Sequence, residues 1–91
     1  MLIPEYLNSF RKSYKNFRRG GRISRADVES VVLLISSGKT LPILYKDHKL
    51  SGGYEGYKEC HIKKDILIIY KIDKSRSLLI LRNIGTHDDL F

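Results

Sequence analysis

Residues 60–70, CHIKKDILIIY, join a polar turn to an unbroken run of bulky side chains. The run ILIIY at residues 66–70 places apolar or aromatic groups on both pleat faces of a strand, because successive side chains point to opposite sides. A strand that is apolar on both faces is typical of a sheet centre covered on both sides. We therefore expect residues 66–72 to form the central strand of the protein.

Two further strand-like runs flank this one in sequence, at residues 57–62 and 78–83. The separators KKD and DKSR are short. Strands joined by so few residues pair side by side and run in opposite directions. The three runs therefore predict an antiparallel meander.

Alternation along the first of these strands separates its reactive side chains. Cys60 and Ile62 share the face expected to join the core, and the other face carries Tyr57, Glu59 and His61. Because adjacent strand residues project to opposite faces, Cys60 and His61 do not form a nucleophile and base pair. His61 is predicted to point away from the core.

The first half of the chain predicts a strand and a helix. LIPEYL, residues 2–7, has the composition of a strand, and its proline limits it to an edge or a strand start. A helix then follows Asn8 or Ser9 and stops at the glycine pair 20–21. Its apolar seam consists of Phe10, Tyr14 and Phe17, and basic residues occupy much of the remaining circumference. That basic surface is either a solvated face or a contact for the phosphates of a polyanion.

A second helix is predicted from Ser24 to Gly38. Ser24 and Asp27 have the spacing of a capping box, and glycine commonly ends a helix. The apolar stripe of this helix comprises Val28, Val31, Val32 and Ile35. The two helices form a hairpin that must pack on the strands.

These elements predict an α+β fold in a single domain over residues 1–91. The expected order is an N-terminal strand, a two-helix hairpin and a three-strand antiparallel meander, with the helices on one face of the sheet. The polar stretch LYKDHKLSGGYEG, residues 44–56, is expected to be a loop. GTHDDLF, residues 85–91, is expected to be a compact tail.

The charge balance indicates the class of partner. The chain contains seventeen lysines and arginines and ten acidic residues, so its net charge is +7. Such a surface attracts polyanions or an acidic protein. The single cysteine leaves no disulfide framework and fits a reducing cytosol. Neither a signal peptide nor an apolar run of membrane-spanning length is evident, so we expect a cytoplasmic protein with no membrane partner.

Histidines are the candidate catalytic groups. His48, His61 and His87 each have a carboxylate nearby in sequence, and a histidine titrates close enough to neutrality to act as acid or base. The spacings of a phosphate-binding loop and of short-range zinc ligands are missing. RNA supplies its own nucleophile, the 2′-OH, so its cleavage needs a base, an acid and cations that stabilise the phosphate.

Four motifs in the second half carry a family resemblance: DHKL at residues 47–50, GGYEGY at 52–57, CHI at 60–62 and GTHDDLF at 85–91. In this order and spacing they resemble the YafQ-type toxins of bacterial type II toxin–antitoxin systems, in the RelE superfamily. The resemblance implies a helical hairpin on a twisted antiparallel sheet. It also implies an endoribonuclease that enters the ribosomal A site, cuts messenger RNA without metal or cofactor, and forms oligomers only with its cognate antitoxin.

The resemblance also implies the site residues. His48, His61, Asp65 and His87 match family active-site positions, with His87 as general acid and Asp65 as general base. An aspartate with a pKa near 3.9 is a weak base unless its surroundings raise that pKa. His48 and His61 therefore stay open as bases, besides orienting the nucleotide and stabilising charge. Phe91 matches a terminal aromatic that stacks on a base.

Two positions depart from the family pattern. Relatives place an arginine two residues before the glycine of GTH, where this chain has Asn83; Arg82 lies one residue off, which on a regular strand is the opposite face. Some relatives also carry a tryptophan where this chain has Ile66. The missing charge would be restored by a bulge at Arg82 or by a lysine such as Lys46, Lys63 or Lys64. The expected substrate-binding residues are therefore Phe91, Arg82, Asn83 and Lys46.

Two alternatives remain at this stage. A toxin-like module that binds ribosomal RNA or an antitoxin without cutting would stall translation and leave messengers intact. A metal-dependent nuclease would lose its activity to a chelator, which the resemblance does not imply.

Overall fold

The computed structural model describes residues 1–19, 23–38, 48–49, 56–63 and 65–90, apart from the side chains of residues 18, 19, 48, 49, 87 and 88. Within those ranges the elements follow in the order β1 (Ile3–Tyr6), α1 (Asn8–Arg19), α2 (Arg25–Ser36), β2 (His48–Lys49), β3 (Lys58–Lys63), β4 (Ile66–Asp73), β5 (Leu78–Thr86) and α3 (His87–Leu90).

The described strands form one mixed sheet in the order β1-β5-β4-β3-β2. β1 runs parallel to β5, and the remaining neighbours are antiparallel. The predicted α+β class, the helical hairpin and the three-strand meander are confirmed. Strand β1 extends the meander on one side and the two-residue β2 extends it on the other.

The helices begin and end largely where their local signals predict. The Ser24 hydroxyl accepts a hydrogen bond from the Asp27 N–H at 3.2 Å, and the Asp27 carboxylate accepts one from the Ser24 N–H at 3.0 Å. Such a cap contributes about 1 kcal/mol to stability. Gly38, beyond the last turn of α2, has a φ of +78°, a conformation that glycine adopts without steric cost. The predicted stop of α1 at residues 20–21 lies outside the described residues.

The core lies between the helices and one face of the sheet. The predicted stripe of α2 is buried, and Phe10 of α1 is 1% exposed. These side chains pack against alternate residues of the strands, which are Cys60, Ile66, Ile68, Tyr70, Leu79, Leu81 and Ile84. Leu67 and Ile69, the intervening residues of β4, are also fully buried, as expected for a central strand covered on both faces.

Two described elements were not expected. The predicted loop over residues 44–56 contains β2, and the predicted compact tail contains α3. A sequence signal for α3 was present, because Thr86 and Asp89 have capping-box spacing. The Thr86 N–H donates to Asp89 Oδ2 and the Asp89 N–H donates to Thr86 Oγ1, each at 3.1 Å.

Candidate active site

The candidate site lies on the sheet face opposite α1 and α2, which we call the distal face. Cys60 is fully buried and Ile62 packs against the core on the helix side. Alternation therefore places Glu59 and His61 of β3 on the distal face. The orientation predicted for His61 is confirmed.

His61 is half-buried near the end of β3, opposite Leu67 of β4. The pairing register shifts directly after it, because His61 pairs with Leu67 and Lys63 pairs with Ile66, so that Ile62 is an extra residue. A bulge of this kind bends the strand and redirects nearby side chains. Sequence alternation alone gives no sign of it.

Asp65 is exposed in the turn between β3 and β4, immediately before Ile66. Because His61 pairs with Leu67, Asp65 and His61 lie at the same end of the sheet. Their separation along the strand direction is about two residues, or roughly 7 Å. The turn thus brings the predicted base and one predicted histidine to one region.

The register also brings His48 to this region. In β2, His48 pairs with Glu59, which lies two residues before His61 on β3. Diagonal neighbours of this kind in an antiparallel pair have backbones about 7–8 Å apart. Glu59 itself is only 2% exposed, so this row of the sheet contains a buried carboxylic acid that sequence reasoning did not single out. Its distal-face position was evident from alternation, whereas its burial was not.

His87 is the first residue of α3, directly after β5. Gly85 pairs with Leu67, which pairs with His61, so Gly85 and His61 are two strand spacings apart, or roughly 10 Å. A Cβ at Gly85 would lie 3.1 Å from Asp89 Cβ and 3.4 Å from Leu90 Cδ2. The absence of a side chain at Gly85 therefore allows α3 to sit directly on β5.

Strand β5 contains a bulge at Arg82, next to the position where the sequence resemblance predicted an arginine. Asn83 pairs with Ile69 and Leu81 pairs with Tyr70, which leaves Arg82 as the extra residue. The bulge resets alternation, so that Leu81 and Ile84 both face the core although three positions apart. Strand β5 continues to Thr86, beyond the predicted end at residue 83.

Arg82 and Asn83, which are adjacent at the bulge, contact different parts of the protein. The Arg82 guanidinium carbon lies 5.1 Å from the centroid of the Tyr57 ring, on the distal face. Asn83 Oδ1 instead accepts a hydrogen bond from the Ser13 hydroxyl of α1 at 3.0 Å. Asn83 thus contacts α1, whereas Arg82 occupies the same face as His61.

Of the other candidate cations and the terminal aromatic residue, the structure describes only Lys63. Lys63 Nζ forms an ion pair with Asp27 Oδ2 at 3.0 Å, beside the start of α2. The pKa of Asp27 is lowered, first by the Ser24 N–H and then by Lys63. Lys46, Lys64 and Phe91 lie outside the described residues.

The described part of the chain contains neither a candidate metal site nor a candidate membrane-spanning helix. No group of three histidine, cysteine, aspartate or glutamate side chains in it is arranged to hold a metal ion. In the same ranges no helix is long and apolar enough to cross a bilayer.

Comparison with known proteins identifies the family. Residues 3–91 match the family model described as the bacterial toxin of type II toxin–antitoxin system, YafQ. The chain is 33% identical over 87 residues to the mRNA interferase toxin YafQ of Escherichia coli K12, covering 96% of this chain and 92% of the relative.

Solved structures agree with this match. A metal-bound toxin from Helicobacter pylori has a TM-score of 0.92 at 35% identity, with 100% of both chains covered. The E. coli DinJ–YafQ complex has a TM-score of 0.83 at 30% identity, covering 100% of this chain and 99% of the other.

The fold is that of the toxin component of a type II toxin–antitoxin system. The chain belongs to the YafQ family. The predicted family and the endoribonuclease class are thereby confirmed, since the curated relatives are named mRNA interferases.

Proposed function

We propose that this toxin cuts messenger RNA in the ribosomal A site by acid–base catalysis that requires no metal ion. The observation that supports the proposal is the sheet register, in which positions 48, 61 and 65 lie near one end of the distal face. Helix α3 begins with His87 at the end of β5, which is two strands away from β3. These residues come from separate segments, and RNA cleavage by the 2′-OH needs such a set of acid, base and charge-stabilising groups.

Within this proposal His87 protonates the departing 5′-oxygen. The base that removes the 2′-OH proton is Asp65, with His48 and His61 as alternatives. If Asp65 is the base, His48 and His61 orient the nucleotide and offset the charge that develops on the phosphate. If one of these histidines is the base, the other has that role. Four residues remain proposed contacts of the substrate: Phe91, Arg82, Asn83 and Lys46.

The proposed partners follow from charge and from a relative. A net charge of +7 attracts ribosomal RNA and messenger RNA. The structure of YafQ of E. coli with DinJ supports an antitoxin as the protein partner. We propose that this chain forms oligomers only with that antitoxin. Because messenger RNA is translated in the bacterial cytoplasm, we place the protein there.

The test is a translating mixture to which wild type, His87→Ala or Lys74→Ala is added, followed by mapping of messenger 5′ ends. Lys74 is exposed in the β4–β5 turn, at the far end of these strands, and is the matched control. We expect codon-positioned cuts from wild type and Lys74→Ala, and at least a hundredfold slower cutting from His87→Ala.

Two outcomes would contradict the proposal. Stalled translation with intact messengers would show that the protein is a binding module. The second contradicting outcome would be a requirement for metal, which is tested because structures of toxins from Helicobacter pylori contain bound metal. Toxin dialysed against a chelator before addition should retain its activity, and loss of cutting that added metal restores would show a metal-dependent nuclease.

A further inference from the structure

An ion pair joins the end of β3 to the first turn of α2. Lys63 Nζ lies 3.0 Å from Asp27 Oδ2. Asp27 is the N3 residue of α2, and its Oδ2 atom also accepts the Ser24 N–H at 3.0 Å. Arg25, on the same turn, pairs with Glu29 instead, at 2.8 Å. One carboxylate therefore both caps α2 and connects that helix to the sheet.

The bulge in β3 brings Lys63 to α2. Regular alternation would put Lys63 on the distal face with His61, two residues earlier. Because Ile62 is the extra residue, Lys63 pairs with Ile66, whose side chain belongs to the core on the helix side. Lys63 thus lies on the helix side, where its ammonium group reaches Asp27.

The ion pair is next to the turn that carries the proposed catalytic groups. His61 directly precedes the extra residue, and Asp65 follows Lys63 by two positions. A bulge interrupts the ladder of backbone hydrogen bonds, and the end of a strand opens more readily than its centre. A contact that holds the bulge against a helix therefore fixes the backbone from which both side chains project.

The pair is better suited to orienting this turn than to stabilising the whole fold. The side chains of Lys63 and Asp27 are 48% and 31% exposed, and an exposed ion pair adds little to stability. The Asp27 carboxylate is already ordered by the cap, so pairing costs it little further conformational entropy. The effect of the pair is therefore expected in the position of the turn.

We propose that the Lys63–Asp27 ion pair fixes the β3 bulge, and thereby the positions of His61 and Asp65 relative to the RNA, with Lys63 as a positioning residue. This inference rests on the proposed function and adds a residue that does not contact the substrate. It replaces the expectation that Lys63 supplies charge to the phosphate, because its ammonium group lies on the helix side.

Three substitutions separate the ion pair from the helix cap. Lys63→Met removes the ammonium group and keeps a long side chain. Asp27→Asn removes the carboxylate charge, but its amide oxygen can still accept the Ser24 N–H. Ser24→Ala removes the hydroxyl that accepts the Asp27 N–H and leaves the ion pair in place, so it is the matched control.

Cutting is measured on messenger-programmed ribosomes with the toxin in excess. Lys63→Met and Asp27→Asn should each lower the maximal rate constant about tenfold and leave the half-saturating toxin concentration unchanged, because misplaced groups slow the chemical step. The double variant should be no slower than either single variant, since both remove one contact. Lys63→Arg, which can still pair with the carboxylate, and Ser24→Ala should cut at close to the wild-type rate.

A contact between Lys63 and the substrate would give a different pattern. Asp27→Asn would then release the ammonium group and leave cutting unchanged or faster, and Lys63→Met would raise the half-saturating concentration. Either result would overturn the proposal. A rate for Ser24→Ala as low as that of Asp27→Asn would assign the effect to the cap and would overturn it as well.

Hydrogen exchange tests the ion pair without any cutting. Amides of residues 60–67 should exchange faster in Lys63→Met and Asp27→Asn than in wild type, with circular dichroism melts establishing that each variant is folded. If this pattern is found and wild type does not cut, the nuclease proposal fails and the ion pair still fixes the turn. Exchange equal to that of wild type in both variants would refute the ion pair's role even if wild type cuts.

Discussion

At the scale of single residues, Arg82 and Asn83 show how one position in a strand decides which side chain lies on the distal face. The sequence resemblance predicts an arginine at position 83, where this chain has Asn83, with Arg82 one residue earlier. In the structure Arg82 is the extra residue of the β5 bulge, and its guanidinium lies over the Tyr57 ring. Asn83 accepts a hydrogen bond from Ser13 of α1 instead. The two neighbouring residues therefore contact different parts of the molecule.

Gly85→Ala is the most informative substitution at this scale. The new Cβ would stand 3.1 Å from Asp89 Cβ, and the four-residue helix α3 has to move to relieve the contact. Because His87, the proposed general acid, begins that helix, we expect cutting to fall about tenfold or more while the melting temperature changes little, since a small displacement of a catalytic group costs much of its effect. Cleavage and melting are measured on the same preparation, with Ser30→Ala as an exposed control. Unchanged cutting would show that the position of α3 is unimportant.

At the scale of elements, turns and caps are specified by short-range hydrogen bonds. In the β4–β5 turn, Asp73 Oδ1 accepts from the Ser75 hydroxyl at 2.7 Å and from the Arg76 N–H at 3.2 Å, and Asp73 Oδ2 accepts from Arg76 Nε at 2.8 Å. Arg76 first and Ser75 next hold the pKa of Asp73 at about 2, below its ordinary 3.8. The turn therefore favours the ionised carboxylate.

This shift predicts a pH dependence of stability. The folded pKa of Asp73 is depressed, so its stabilisation is complete above pH 3.8 and is lost as the pH falls through about 2. Asp73→Asn should melt below wild type at pH 7, and the difference between the two should shrink between pH 4 and pH 2. Thermal melts across that range check this, with Glu29→Gln, in an exposed ion pair with Arg25 on α2, as a control for general charge loss. A constant difference would contradict it.

At the scale of the whole molecule, charge governs encounter with the target. A net charge of +7 on 91 residues is distributed over helices and strands, so a polyanion is attracted before any specific contact forms. The same charge favours an acidic antitoxin segment.

Salt should therefore weaken ribosome binding in a graded way. We expect log affinity for purified ribosomes to fall linearly with log salt, with a slope of about 0.7 for each single-strand phosphate contact. Sedimentation at several potassium chloride concentrations measures the slope, and a neutral osmolyte at matched osmolality is the control. Binding that is insensitive to salt would mean that apolar contacts dominate.

Much of the fold was predictable because its signals are local. The capping box at Ser24, the apolar stripe of α2 and the alternation that turns His61 from the core depend on residues within one helix or strand. The capping spacing of Thr86 and Asp89 was equally local, and it would have predicted α3. The remaining features involve partners distant in sequence.

The sequence alone determined the order of β1, α1, α2 and the three meander strands, the faces of β3 and β4 and the family of this toxin, because periodicity and motifs act over a few neighbouring residues. Only the tertiary structure decided that β1 runs parallel to β5, that His48 pairs with Glu59, and that Arg82 is bulged onto Tyr57. Pairing register depends on which arrangement of the whole sheet buries the core side chains together, and no single segment contains that information.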